Sequence, residues 1–198
     1  MLINPFYILW QNQLNFIMNP RIESRLKKMD NDLTKLFEEL KDYSEKSLNE
    51  KPGEGKWSVM QIMHHLILAE GGSIGYVKKK LSFNPTLEKA GLKASLNRFI
   101  VINYLKLPFK VKAPDGIGGA NLPEHSNFWE TAKLWKQQRQ ELQEYLISLP
   151  DDFYDKELYK HPASGKMKLV GMLDFFEQHF KRHRKQINKI LAKSYKMN

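Results

Sequence analysis

Two histidines near the end of this sequence have a spacing that suits a metal ion. His179 and His183 are four residues apart in a segment with helical periodicity, so both imidazoles project from one side of a helix. That side is apolar, with Phe176 and Phe180 beside His179. Burying unpaired imidazoles costs on the order of 1–3 kcal/mol each, and a divalent metal would supply the missing partner. The alternative is a pair of surface or internally hydrogen-bonded histidines.

A third ligand must come from another helix, and the neighbours His64 and His65 offer one. Adjacent residues of a helix lie about 100° apart, so only one of the two faces a common site. His65 is three residues after Ile62 and four before Ala69, on the apolar stripe, whereas His64 shares its side with Gln61. We therefore predict His65, His179 and His183 as metal ligands. Three protein ligands leave one position open for water or substrate, as in catalytic sites.

Other polar residues are weaker candidates for the same site. Arg139 interrupts the apolar stripe of another helical segment, where it would orient a substrate carboxylate or phosphate, or extend outward from the stripe edge. Glu70, five residues after His65, lies about 140° from the ligand face, so a role behind the ligands or as a base is speculative. His125, in a loop, is a candidate fourth ligand or proton carrier, and His161 precedes a proline in a turn, where we expect a structural role.

Four long segments with helical periodicity must position these residues. The second segment begins at a capping box, in which Ser58 is followed three residues later by Gln61. The last segment carries Asp174 and Glu177, which we expect on its solvated side. The segments cover residues 20–43, 58–81, 127–149 and 169–193.

A long connection, residues 82–126, joins the second and third segments. It contains an amphipathic helical piece from Leu92 to Leu107 and a Pro/Gly-rich loop over 108–123. No segment shows convincing strand alternation. The pattern predicts an all-α fold, a four-helix bundle with a long crossover between helices 2 and 3.

Composition limits the classes of protein. The 198 residues include no cysteine, which excludes thiolate metal sites and a cysteine nucleophile and is compatible with the cytoplasm. The net charge of +10 is concentrated in residues 75–112 and 181–198. No aromatic–basic motif accompanies it, so nucleic-acid association through these segments is the minor alternative, which salt-dependent retention of DNA or RNA would support. No apolar run has the roughly 18–20 residues of a transmembrane helix.

The first 18 residues form a separate region in this interpretation. They are apolar and uncharged, but they lack the basic start and the cleavage site of a secretory signal. We interpret 1–18 as an N-terminal extension, disordered or loosely docked, or as residues upstream of the true start; a peripheral membrane contact is the minor alternative. The bundle domain is then 19–196.

The order and spacing of the motifs resemble the DinB/YfiT-like superfamily over roughly residues 19–193. The histidine of the second helix comes eight residues after a Trp-Ser pair, and the two late histidines precede a Gln-Ile pair. A His-Pro-x-x-Gly link before the last helix is also similar. The matching residues are Trp57, Ser58, His65, His161, Pro162, Gly165, His179, His183, Gln186 and Ile187.

The resemblance implies a four-helix bundle with a three-histidine site for a divalent metal, often zinc or nickel, and frequent homodimers. Members include S-transferases that use a low-molecular-weight thiol such as bacillithiol, mycothiol or glutathione, a mycothiol-dependent isomerase and metal-dependent hydrolases. A transferase without cysteine would take its sulfur from a small-molecule thiol, and a metal-bound hydroxide suits a hydrolase equally. The alternative is a non-catalytic binding module whose structural metal has a fourth protein ligand, with His125 the obvious choice.

Overall fold

The computed structural model describes residues 19–107 and 116–194. The predicted extension over 1–18 and the first half of the predicted Pro/Gly-rich loop, residues 108–115, lie outside these residues. No described helix is both long enough and apolar enough to cross a membrane. The described chain forms six α-helices and two short strands, namely α1 (Pro20–Leu40), α2 (Glu45–Asn49), α3 (Val59–Ser82), α4 (Leu92–Lys106), α5 (Phe128–Ile147), β1 (Tyr159–His161), β2 (Gly165–Met167) and α6 (Leu169–Ser194). Two short 3-10 helices cover Gly119–Asn121 and Asp151–Asp155.

The four long helices form the bundle, which confirms the predicted all-α fold. Helices α1 and α3 both pack against α5 and α6, and the apolar stripes expected from the sequence meet in the interior. Trp135 of α5 and Phe176 of α6 are among the largest fully buried side chains. Burial of these stripes is what positions the helices, because isolated helices gain little stability from propensity alone.

Local signals set where the helices begin. The capping box is present: Ser58 Oγ accepts from Gln61 N at 3.1 Å, and Ser58 N donates to Gln61 Oε1 at 3.2 Å. Asn19 caps α1 ahead of Pro20, and Asn127 caps α5. These caps satisfy backbone N–H groups that have no partner inside the helix, and Ser58 thereby sets the register that places His65 seven residues later.

The link before α6 contains a small β-hairpin that sequence periodicity did not reveal. Strands β1 and β2 pair antiparallel over three residues each, which is too short for alternation to be recognised. Gly165 has φ +95°, a left-handed conformation that favours glycine. Asn97 Nδ2 of α4 donates to Lys166 O at 2.9 Å, which joins the hairpin to the crossover helix.

Helix α4 exists where the sequence predicted it, but its amphipathic character was predicted wrongly. Its inner side packs on α6 and β2 through Ala94, Asn97 and Val101. Its outer side is also largely apolar, with Leu96 and Phe99 exposed. The sequence has apolar residues around most of this helix, so periodicity alone does not define one polar face.

The prediction that Asp174 and Glu177 only solvate the last helix is wrong. Asp174 is only 8% exposed, accepts from Arg25 Nε of α1 at 2.8 Å and is also paired with Arg98 Nε of α4. Glu177 is paired with Lys28 of α1 and, at 2.6 Å, with Lys181. Both carboxylates therefore connect α6 to its neighbours, because cations on adjacent helices lie opposite them.

We expect Asp174→Asn to lower the free energy of unfolding by about 1–2 kcal/mol, because asparagine carries no charge and offers one acceptor oxygen, so one of the two arginines loses its acceptor. Urea denaturation measures the change. The control is Glu23→Gln, which removes an exposed pair with Lys27 within α1 and should cost less than about 0.5 kcal/mol. Equal effects of the two substitutions would contradict a bridging role for Asp174.

Candidate metal centre

The structure brings together the three histidines that the spacing singled out. His65 comes from α3, His179 and His183 come from α6, and all three are buried. Nε2 of His179 is 3.2 Å from Nε2 of His65 and 3.1 Å from Nε2 of His183. One ligand atom from each residue lies within 4.8 Å of the others, so the group could hold a metal ion.

The hydrogen bonds made by the Nδ1 atoms of His65 and His183 determine which nitrogen of each ring carries its proton. His65 Nδ1 lies 2.6 Å from the carbonyl oxygen of Ile117, and His183 Nδ1 lies 3.0 Å from Gln186 Oε1. Both oxygens can only accept, so each Nδ1 carries the proton and each Nε2 presents a lone pair to His179.

This proton arrangement leaves the cluster incomplete as a hydrogen-bonded group. Nε2 of His179 can carry at most one proton and can donate it to only one neighbour. At least one of the two short nitrogen–nitrogen contacts therefore places lone pairs against each other. A cation between the three nitrogens removes this repulsion, so the donor set fits a metal.

Two of the three nitrogen separations also match those between the ligands of one metal ion. Zinc–nitrogen bonds of about 2.0–2.1 Å in tetrahedral geometry place ligand nitrogens about 3.3 Å apart, and right-angle geometry places them about 2.9 Å apart. The two measured separations, 3.2 and 3.1 Å, lie between these values. His179 therefore already stands at coordination distance from both partners.

Burial keeps the three imidazoles neutral, which is the form that binds a metal. Burial lowers the pKa of His65. Burial, and then the neighbouring His65, lowers the pKa of His183 to about 3. The pKa of His179 lies well below its usual value because the ring is desolvated and other imidazoles surround it. No proton therefore competes strongly with a metal near neutral pH.

Aromatic rings pack around the cluster and hold the imidazoles in place. The Trp57 ring lies 4.9 Å from that of His65, and the Phe175 ring stacks on His179 at 5.2 Å with an interplanar angle of 16°. Trp57 also stacks near His183 at 6.4 Å. Side chains locked by such packing hold a site in a defined geometry.

Arg139 is engaged by a partner that sequence reasoning missed. Its Nε and Nη2 each donate to a different carboxylate oxygen of Glu70 at 2.6 Å, and Trp135 Nε1 donates to Glu70 Oε2 at 3.1 Å. Both charged side chains are at most 4% exposed. Among the described residues, Arg139 Nη1 has no hydrogen-bond partner. Opposite charges on the apolar stripes of two helices were the signal that could have revealed the pair.

The remaining histidines lie outside the three-histidine group. His125 is exposed, and within residues 19–107 and 116–194 only His65, His179 and His183 form a metal-compatible cluster of three or more. His64 is half-buried, with Nε2 3.3 Å from Thr131 Oγ1. His161 Nδ1 accepts from the backbone N–H groups of the hairpin turn at 3.2 and 3.3 Å, and burial lowers its pKa to about 4.

The fold and the histidine group together define the class of protein: it is a four-helix bundle whose second and last long helices carry three histidines that could hold a metal. The chain belongs to the DinB superfamily, whose sequence profile matches residues 25–187. This confirms the resemblance found from the motifs.

Two relatives are similar over most of the chain. The uncharacterized protein YuaE of Bacillus subtilis strain 168 is 25% identical over 160 residues, which cover 79% of this chain and 91% of YuaE. YfiT from Bacillus subtilis, described as a probable metal-dependent hydrolase with an unusual four-helix bundle topology, has a similar fold with a TM-score of 0.56. The alignment covers 87% of this chain and 86% of YfiT at 15% identity.

Proposed function

We propose that this protein is a metal-dependent enzyme, best described as a hydrolase, whose divalent ion is held by His65, His179 and His183. The observation that carries the proposal is the set of three Nε2 atoms that meet at His179, whose two short contacts cannot both be hydrogen bonds. The description of YfiT as a probable metal-dependent hydrolase supports the same reaction class. Zinc and nickel are the ions we propose, because imidazole nitrogens suit both.

A divalent ion held by His65, His179 and His183 would leave one position open and would supply a water of lowered pKa as nucleophile. The chain's own residues prepare that site. Ile117 O and Gln186 Oε1 orient two imidazoles by accepting their Nδ1 protons. Trp57 and Phe175 restrict the rings and provide apolar walls. We assign Arg139 a structural role, since Glu70 takes two of its donor nitrogens; substrate orientation through Nη1 stays a prediction.

The second candidate is a transferase that uses a small-molecule thiol. The chain has no cysteine, so a transferase of this kind would take its sulfur nucleophile from a cosubstrate such as bacillithiol or glutathione, although the same composition fits a hydrolase equally. A metal with an open position would also stabilise such a thiolate. Homodimer formation and a cytoplasmic location stay predictions from the sequence and its resemblance.

The non-catalytic alternative is less favoured by the geometry. It requires a closed structural site with a fourth protein ligand, for which His125 was the obvious choice. His125 is exposed and does not belong to the three-histidine group. Among the described residues, the group therefore has the three-ligand form of a catalytic site.

Untagged protein, stripped with a chelator and reloaded with zinc or nickel, tests the proposal. Activated esters and amides are assayed alone, and electrophilic acceptors are assayed with bacillithiol or glutathione. Metal-dependent ester or amide cleavage supports the hydrolase, and turnover only with a thiol supports the transferase. Stoichiometric metal without any turnover would favour the binding module. Failure to bind any divalent metal would overturn the proposal and leave the histidines as packing residues.

Loss of the Gln186 contact should weaken metal binding without removing a ligand. We expect Gln186→Ala to reduce metal affinity about 10–100-fold, because the His183 ring loses the acceptor that orients it. Competition with a chromophoric chelator measures the affinity. The control is Gln140→Ala, whose exposed side chain donates to Glu144 on the same helix. Unchanged affinity in Gln186→Ala would show that the hydrogen bond does not orient the ligand.

A further inference from the structure

Helix α4 carries an apolar face that no described part of the chain covers. Its members are exposed by 43 to 91% of their surface, although all are large hydrophobic residues. We call this set the α4 face. It consists of Leu92, Leu96, Phe99, Ile100, Tyr104 and Leu107.

The members of the α4 face lie on one side of the helix. At 100° per residue they fall within an arc of about 140°, opposite the side on which Val101 and Ala94 are buried. A helix that is apolar on both sides is expected to be covered on both. Contiguous exposed apolar patches on a protein surface commonly mark interaction sites. The outer side of α4 is therefore a docking surface.

The charged residues that α4 and its flanks carry are all positive. Lys93 lies inside the arc close to one edge, Lys106 lies just outside the other edge, and Asn103 is the polar residue near the centre. Residues 89–107 contain no acidic residue. Arg98 points instead to the buried Asp174. A partner surface that complements the α4 face must therefore have an apolar interior and negative charge at its boundary.

We propose that the α4 face docks on the surface of an anionic lipid bilayer, with α4 lying in the plane of the interface. The aromatic and aliphatic side chains would enter the boundary between headgroups and acyl chains, and the flanking lysines would contact lipid phosphates. The helix has 15 residues and does not cross the bilayer.

A second copy of the chain fits this surface less well. In a two-fold interface the same patch meets itself. Lys93 and Lys106 of both copies would then approach one another, with no acidic residue in 89–107 to neutralise them. The proposal uses no property of the three-histidine site, so it stands or fails separately from the proposed function.

The absence of cysteine allows a direct test with the full-length chain. Leu96→Cys, labelled with an environment-sensitive fluorophore, reports whether the α4 face enters the bilayer. The matched control is Leu134→Cys on α5, an exposed leucine outside the α4 face. Vesicles of phosphatidylcholine with phosphatidylglycerol should shift the emission at position 96 to shorter wavelength and leave position 134 unchanged. Phosphatidylcholine alone should produce a much smaller shift, and salt should weaken the effect.

Substitution of the apolar residues provides the second arm. Leu96→Ser/Phe99→Ser should lower partitioning into anionic vesicles at least about tenfold, measured by co-sedimentation, because two large side chains lose their burial in lipid. Trp129→Ser/Leu134→Ser removes comparable exposed surface from α5 and should partition like the unchanged protein. Both residues of the first pair are exposed, so circular dichroism and thermal unfolding should show that the variants remain folded.

Three results would overturn the proposal. The first is no co-sedimentation of the unchanged protein with anionic vesicles. The second is equal partitioning of Leu96→Ser/Phe99→Ser, which would place the contact in another part of the chain. The third is a fluorescence shift at position 96 that grows with protein concentration without vesicles, which would identify a second copy as the occupant.

Discussion

His179→Ala is expected to abolish stoichiometric metal binding. Nε2 of His179 is within 3.2 Å of Nε2 in both other histidines, so its loss leaves only two of the three nitrogen ligands. The decrease in affinity should exceed the about 10–100-fold that loss of an outer-shell partner typically costs. Elemental analysis of untagged, metal-loaded and desalted protein measures the effect.

Thermal stability provides an independent readout of the same substitution. A metal at 100 times its dissociation constant stabilises the folded state by about 2.7 kcal/mol. This metal-dependent increase should be present in the unchanged protein and absent from His179→Ala. The control is His64→Ala, because His64 is next to His65 in sequence but lies outside the three-histidine group. This variant should still bind one full equivalent of metal. Full metal content in His179→Ala would show that the ion is bound elsewhere.

Arg139→Met is expected to lower the free energy of unfolding by about 3–5 kcal/mol, because it leaves the Glu70 carboxylate buried without its cation. Arg139 and Glu70 are only 4% and 3% exposed and are joined by two hydrogen bonds of 2.6 Å. The double variant Glu70→Gln/Arg139→Met removes both charges, so it should recover most of the loss. Denaturant unfolding of the single and double variants measures the coupling.

Two comparisons separate a structural role of Arg139 from substrate orientation. Lys27→Met breaks an exposed pair with Glu23 and should cost less than about 1 kcal/mol. The stable double variant should keep its metal content and, in a structural role, its turnover. A double variant that is as stable as the unchanged protein but has lost turnover would instead assign Arg139 to the substrate.

Most of the bundle follows from the sequence because helical periodicity states which residues face inward. The stripe through Ile62 and Ala69 distinguished His65 from His64, and the four-residue step placed His179 and His183 on one side of α6. The Ser58 cap set the start of α3. These are properties of single helices, and they depend on residues close together in the chain.

Pairings between helices were harder to predict. Glu70 with Arg139, and Asp174 with Arg25 and Arg98, join residues that are 69 to 149 positions apart. Sequence periodicity does not give the offset or rotation of one helix against the next. The sequence can show a charged residue among apolar ones, as at Arg139, but which carboxylate faces it was decided only when the helices were assembled.

The sequence by itself determined the helices, their inward faces and the identity of three histidines suited to a metal, because spacing within a helix sets direction. Only the tertiary structure decided that their Nε2 atoms converge at 3.1 and 3.2 Å, since that depends on how α3 packs against α6. It also decided that Ile117 and Gln186 fix the proton positions and that α4 presents an apolar outer face. Distances between elements arise from packing of whole side chains, which short-range sequence patterns do not encode.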